Sequence, residues 1–198
     1  MIELKSISKK YTSEIFKDFS YIFDENNIYY LSGQNGSGKT TLLKLIKGIY
    51  LCDQGEIKLD PKLTQKDDIA YIDGNFRTFF HRLTVRQNLE YFFSLQNINN
   101  DNKSISELLD FFSVTKLEHK TFSSLSQGQM QIVSIIRGFL LDPKIILLDE
   151  VFSSLDIANK NIIYAYLSKF ILKDKSLVIF TSHEKKHDDL NFNELCLN

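Results

Sequence analysis

No apolar run in this 198-residue sequence approaches the ~20 residues needed to span a bilayer, so any membrane association would come through a partner. The opening residues Met1-Ile2-Glu3-Leu4 are not a basic segment leading into an apolar stretch, and no secretory signal is expected there. Cysteine is scarce: Cys52 and Cys196 stand far apart without a framework spacing, which suits a reducing compartment and points to a cytoplasmic location. His81, His119 and His187 fit no motif, no Cys/His cluster has metal-ligand spacing, and no zinc site is expected. Neither sign of charge is in excess, 24 Lys and Arg against 25 Asp and Glu, which leaves no basic field of the kind that draws nucleic acid. With 8 glycines and 2 prolines there is little linker composition, and neither an internal repeat nor a heptad array is visible. What is present is 43% apolar residues, enough for one domain over residues 1–198 with a substantial core and too short a chain for two ordinary ones.

The stretch Gly33-Gln34-Asn35-Gly36-Ser37-Gly38-Lys39-Thr40 fits the phosphate-binding pattern G-x-x-x-x-G-K-[ST]. Its flanks agree with that reading. Residues 28–31 are a short apolar, aromatic run of strand character, and beyond Thr41 the residues Leu42, Leu45, Ile46 and Ile49 recur at helical spacing. Phosphate oxygens need donors converging on one point with no side chain in the way, which Gly33, Gly36 and Gly38 permit. A helix starting near Lys39 adds unpaired N–H groups and the positive end of its dipole. Lys39 then supplies a point charge to the outer phosphates, and the Thr40 hydroxyl a ligand for a Mg2+ that bridges them. The ligand this chemistry implies is a nucleoside triphosphate.

Downstream, Ile145-Ile146-Leu147-Leu148-Asp149-Glu150 reads as a buried parallel strand that delivers two carboxylates at its C-terminal edge. Asp149 matches the magnesium-holding aspartate of phosphate-loop ATPases, and Glu150 is placed to orient or deprotonate an attacking water; taken alone, such a pair can equally begin a solvated turn. Leu125-Ser126-Gln127-Gly128-Gln129 precedes a helical run through Ile132, Ile135, Ile136 and Phe139, so Ser126 and Gly128 lie at a second helix start able to receive an anion. With these segments the sequence resembles the ATP-binding cassette family. LSQGQ is similar to that family's LSGGQ signature, Ser153-Ser154-Leu155-Asp156 resembles its D-loop, and Thr181-Ser182-His183 resembles its switch histidine after the last core strand. Tyr11, in Ser8-Lys9-Lys10-Tyr11, resembles the aromatic that stacks on adenine, and all of these occur in the family's order.

The resemblance implies ATP and Mg2+ as ligands, Glu150 and His183 as catalytic residues, Thr40 and Asp149 at the metal, and Tyr11, the loop residues, Thr41, Ser126, Gly128, Gln129 and Asp156 on the nucleotide. It implies a head-to-tail dimer with a second such subunit, the two ATPs sandwiched between the phosphate loop of one copy and the signature helix of the other. It also implies a separate transmembrane permease, on which the chain would sit peripherally at the inner face of the membrane, with no nucleic acid and no metal beyond Mg2+. Phe76, Phe79 and Phe80 either line the groove that accepts a short helix of that partner or pack in the core. Two positions depart from the family pattern. Gln127 replaces a glycine of the signature, so its side chain must point away from the phosphate. Counting back from Leu83-Thr84-Val85, the glutamine expected near Mg2+ in the Q-loop is replaced by Asn75, with Asp73 as the competing assignment.

The expected fold is α/β, a P-loop NTPase (RecA-like) with a mainly parallel core sheet and flanking helices, an N-terminal antiparallel β subdomain, and a helical subdomain inserted over about 75–142. Strands are expected near 2–7, 19–23, 28–32, 56–59, 69–72, 145–149 and 177–182, and helices near 41–49, 85–95, 105–112, 128–141 and 157–171. The expected function is that of an ATPase subunit whose dimer closure and hydrolysis drive translocation by the permease, the short length favouring export. The alternative is a non-transport ATP switch that scaffolds a soluble or membrane-anchored complex.

Overall fold

The computed structural model describes residues 1–61, 63, 68–95, 102–173, 176–182 and 190–197. Strands β1 (Ile2–Lys10), β2 (Glu14–Phe23) and β4 (Gln54–Leu59) form a three-stranded antiparallel sheet in the order β2-β1-β4. Strands β3 (Asn27–Gly33), β5 (Ile69–Ile72), β6 (Ile145–Asp149), β7 (Leu177–Thr181) and β8 (Asn193–Leu197) form a five-stranded sheet ordered β5-β6-β7-β3-β8, with every pair parallel. Between β3 and β4 lies α1 (Lys39–Lys47); between β5 and β6 lie α2 (Val85–Ser94), α3 (Asn102–Phe111) and α4 (Gln127–Phe139); α5 (Ile157–Phe170) joins β6 to β7. Among the described residues no helix is long and apolar enough to cross a membrane.

The parallel sheet is covered on both faces, which is why β6 and β7 read as continuous apolar runs and are buried at all positions. Successive side chains split between two cores. Ile146, Leu148, Val178 and Phe180 face the core shared with α4 and α5, whereas Ile145, Leu147, Leu177 and Ile179 face the core shared with α1 and the antiparallel sheet. In β1 the alternation is broken at Ser6, which adopts φ 46° where the register shifts between Leu4 and Ile7. The bulge turns Ile7 inward beside Ile2 and Leu4 and keeps Ser6 exposed. Gly55 permits it from the neighbouring strand: at φ 80° a side chain there would run into the Ser6 carbonyl.

Two strands depart from the sequence reading. β2 begins at Glu14 rather than at 19, because its first half is an exposed edge with only Phe16 buried and lacks apolar alternation. β8 has no counterpart among the expected strands. It is a sheet edge in which only Leu197 is buried, so nothing in its composition marks it as a strand.

The segment after β5 resolves the two options for its phenylalanines. Phe79 is 3% exposed and stacks on the fully buried Phe122 with centroids 4.3 Å apart, so it belongs to the core. The Arg137 guanidinium of α4 lies over both Phe79 and Phe92, at 4.5 and 4.8 Å, and donates to Thr78 Oγ1 at 2.6 Å. Phe80 is 44% exposed, edge-on to the exposed Tyr91. Its backbone is held from below by buried Asn88, which accepts from the Phe80 N–H at 2.8 Å and donates to its carbonyl at 3.0 Å. Phe79→Ala is therefore expected to lower the free energy of unfolding by about 3–5 kcal/mol, and Phe80→Ala by no more than about 1 kcal/mol, as measured by chemical denaturation.

Candidate nucleotide site

The loop between β3 and α1 is shaped by two glycines in particular. Gly38 has φ 95° and lies so close to Ile15 and Phe16 of β2 that a Cβ would approach Ile15 Cγ2 to 2.6 Å. Gly36, at φ 87°, would direct a Cβ into open space, with nothing within 4 Å. That space is the mouth of a cavity of about 400 Å³ lined by Ile15, Asn35, Gly36, Gly38, Lys39, Thr40, Thr41 and Glu150. Helix α1 opens on it without a side-chain cap and without an acidic residue in its first turn, so its leading N–H groups and dipole face the cavity uncompensated. Lys39 is 6% exposed and folds back over the loop, donating to the carbonyls of Gly33 at 2.8 Å and Gln34 at 3.0 Å. Gln34 also accepts from the Ser37 N–H at 3.1 Å, closing the turn.

Opposite the loop, the β6–β7 register sets Asp149 beside Thr181. The Asp149 carboxylate is 7% exposed and accepts three hydroxyls: Thr40 at 3.0 Å and Thr181 at 2.9 Å on Oδ1, and Tyr71 at 2.8 Å on Oδ2. Burial, and then the Asp149 charge, push the Tyr71 phenol well above the ordinary tyrosine range, so it stays protonated and donates. Glu150 follows at φ 55°, a left-handed conformation that ends the strand abruptly and brings the residue to the cavity wall. Its N–H donates to Thr181 Oγ1 at 3.0 Å.

A polyphosphate fits this arrangement. The α1 donors are uncapped, and Gly36 leaves the approach open. The pairing of Thr40 with Asp149 suits a small, oxygen-loving divalent cation: the threonine proton goes to the carboxylate and its lone pairs remain for the metal.

The other residues singled out in the sequence lie in different places. Ser126 caps α4 in a reciprocal box with Gln129: its Oγ accepts from the Gln129 N–H at 3.3 Å, and Gln129 Oε1 accepts from the Ser126 N–H at 3.1 Å. The serine is exposed and keeps its own hydroxyl proton to donate outward. Gly128 carries the Ser154 carbonyl against it, 2.9 Å from where a Cβ would be, while Gln127 is exposed. This explains why a side chain is accommodated at the third signature position and not at the fourth. Asp156 caps α5, accepting from the Asn159 N–H at 2.8 Å. None of these signature and D-loop residues lines the cavity at the phosphate loop of the same chain. Tyr11 is 50% exposed, edge-on to Tyr50 at 6.3 Å, and is likewise outside that lining. Asn75 is exposed and engaged in a local turn, its Oδ1 accepting from the Arg77 N–H at 3.1 Å, while Asp73 Oδ1 accepts from the Asn75 N–H at 3.0 Å. His183 lies outside the described residues.

Three residues of the site were not anticipated as such: Ile15, Tyr71 and Thr181. The two hydroxyls carried a faint signal, since each is a polar group on an otherwise apolar strand. Ile15 carried none.

A family model described as ABC transporter matches residues 16–153, which contain the loop, Tyr71, the signature and the acidic pair. The chain belongs to the ABC transporter family. It is an ATPase of that family, with ATP and Mg2+ as nucleotide and cation. Among its relatives, the zinc import ATP-binding protein ZnuC of Rickettsia bellii is 32% identical over 186 residues, covering 93% of this chain and 76% of that one. The sulfate/thiosulfate import ATP-binding protein CysA of Thermosynechococcus vestitus is 31% identical over 193 residues, but there the chain spans only 57% of the relative's length. Among solved structures, an inward-facing metal-chelate type ABC transporter aligns with TM-score 0.81 and 28% identity, over 100% of this chain and 79% of that one. An ATP-binding cassette solved as a post-hydrolysis dimer with ADP and Pi aligns with TM-score 0.84 at 23% identity, over 100% and 94%, which speaks to the fold.

Because Lys39 provides the buried cation beside the loop, Lys39→Ala is expected to weaken ATP binding by about 30-fold or more, measured by equilibrium titration with a fluorescent ATP analogue.

Proposed function

We propose that the chain is the motor subunit of an ABC transporter that works as a head-to-tail dimer on a separate transmembrane permease. The observation that carries this reading is the separation of two anion-receiving helix starts: α1 opens on the phosphate-loop cavity, whereas α4 presents the exposed Ser126 hydroxyl elsewhere. Two such half-sites in one chain complete each other when a second copy is turned end for end, so that Lys39 of one copy faces Ser126 of the other across ATP. Bound ATP supplies the phosphoanhydride to be cleaved, and Mg2+ neutralises its charge. The loop N–H groups and Lys39 hold the phosphates, Thr40 and Asp149 hold the cation, and Glu150 takes a proton from the attacking water. By the family resemblance, His183 is assigned to the outermost phosphate and Tyr11 to the adenine. Gln129 and Asp156, which also cap α4 and α5, are assigned to the nucleotide with the signature and D-loop. Asn75 is retained for the Q-loop position, with Asp73 competing for it.

The permease is proposed to dock where Phe80 and Tyr91 are exposed beside partly buried Phe76. Through it the chain would sit at the inner face of the membrane. Export, expected from the short length, finds no support among the relatives named above. Their names are those of import proteins, and uptake is the direction we propose.

Glu150→Gln removes the base and keeps the shape. It is expected to leave ATP affinity within about threefold, to trap a dimer on size-exclusion chromatography in ATP, and to lower turnover by about 100-fold or more. Turnover at the wild-type rate would remove Glu150 from catalysis. Phe80→Glu is expected to abolish co-purification with a multi-span membrane protein while ATP-dependent dimerisation and the fold persist; an undiminished yield of that partner would place the dock elsewhere.

A further inference from the structure

Asp149 offers four lone-pair sites, and their occupation is unequal. Among the described residues, Oδ1 receives both threonine hydroxyls, Thr40 and Thr181, whereas Oδ2 receives Tyr71 alone and keeps one lone pair open. The last torsion of an aspartate is soft and roughly two-fold, so hydrogen bonds at Oδ1 by themselves leave Oδ2 free to swing. Tyr71 removes that freedom from a rigid support. It stands on β5, directly paired with Leu147 of β6, and its hydroxyl reaches Oδ2 at 2.8 Å from a ring packed against the core shared with α1. The three hydroxyls therefore come from three separate elements, α1, β7 and β5, and together define the plane of the carboxylate.

Resting on the nucleotide-site reading above, we propose that Tyr71 is a positioning residue for the divalent cation: its hydroxyl locks Asp149 so that the open Oδ2 lone pair and the Thr40 oxygen face the metal or its bound water together. Tyr71 touches neither phosphate nor metal in this arrangement. Its contribution is confined to the metal-dependent part of nucleotide binding, which separates it from Lys39 and the loop, whose contribution is to the phosphates themselves.

The test is a fluorescent ATP-analogue titration of wild type and Tyr71→Phe, once in EDTA and once across a range of free Mg2+, with a thermal melt of each protein to verify the fold. Phenylalanine keeps the ring and deletes only the hydroxyl. Binding in EDTA is expected to be unchanged, and the Mg2+ concentration at half-maximal enhancement to rise about tenfold, the scale of one hydrogen bond to a charged group. Coincident midpoints would overturn the proposal. A lower midpoint in Tyr71→Phe would overturn it as well, and would make the hydroxyl a competitor of the cation. Equal losses with and without Mg2+ would make Tyr71 a packing residue of the loop instead. Failure of the wild-type protein to bind the analogue, or to respond to Mg2+ at all, would sink the nucleotide-site reading itself, and it would be visible without any substitution.

Discussion

A carboxylate held 7% exposed at the end of a fully buried strand has lost most of its hydration, and the fold around it is organised to replace what water gave. Asp149 does so with three hydroxyls drawn from α1, β5 and β7, so the first turn of the loop helix and the two strands flanking β6 are tied to a single group. The parallel register that sets Asp149 beside Thr181 also fixes Glu150, whose N–H uses the same threonine oxygen. Loop, candidate cation ligand and candidate base are thus positioned by one hydrogen-bonded centre.

Lys39 lines the cavity with its charge resting on two loop carbonyls. Lys39 and Glu150 line one cavity, with the Asp149 carboxylate against Thr40 beside it, and Mg-ATP, itself a cation held by a polyanion, is complementary to such a mixed site. The left-handed backbone at Gly36 and Gly38 makes the approach possible, the first by leaving space and the second by allowing β2 to pack directly beneath the loop. The antiparallel sheet is in this way part of the site: Ile15, from its edge strand, forms the apolar side of the cavity.

The signature helix is bound to the rest of the chain by different means. α4 is buried along most of its length, and its Arg137 lies over both Phe79 and Phe92, so the helix that carries Ser126 is in contact with the segment leaving β5. Burial lowers the arginine's pKa, yet its ordinary value is so high that the charge is kept, and the aromatic faces and Thr78 provide its contacts. Phe80, next to this cluster, is directed outward by the Asn88 hydrogen bonds. The exposed Phe80 and the helix start at Ser126 are consequently linked through one packed unit.

Much of this was legible in the residues. The loop from Gly33 to Thr40, the acidic end of β6 and the helix start at Ser126 are local patterns, in which spacing alone fixes the backbone and the chemistry, and each stands where its pattern put it. β8 was not legible, because an edge strand with one neighbour needs no apolar run, and neither was the early start of β2. The fate of Phe79 and Phe80 was undecided by sequence, since adjacent aromatics look alike until the backbone turns one toward Phe122 and the other toward solvent. What the sequence by itself determined was the identity of the chemical groups: loop donors, one lysine, two carboxylates and a second helix start. The tertiary structure alone decided which of them meet, bringing Tyr71, Thr181 and Ile15 to the loop and keeping Ser126 away, because contacts between residues dozens of positions apart are set by strand order and register, which no local spacing encodes.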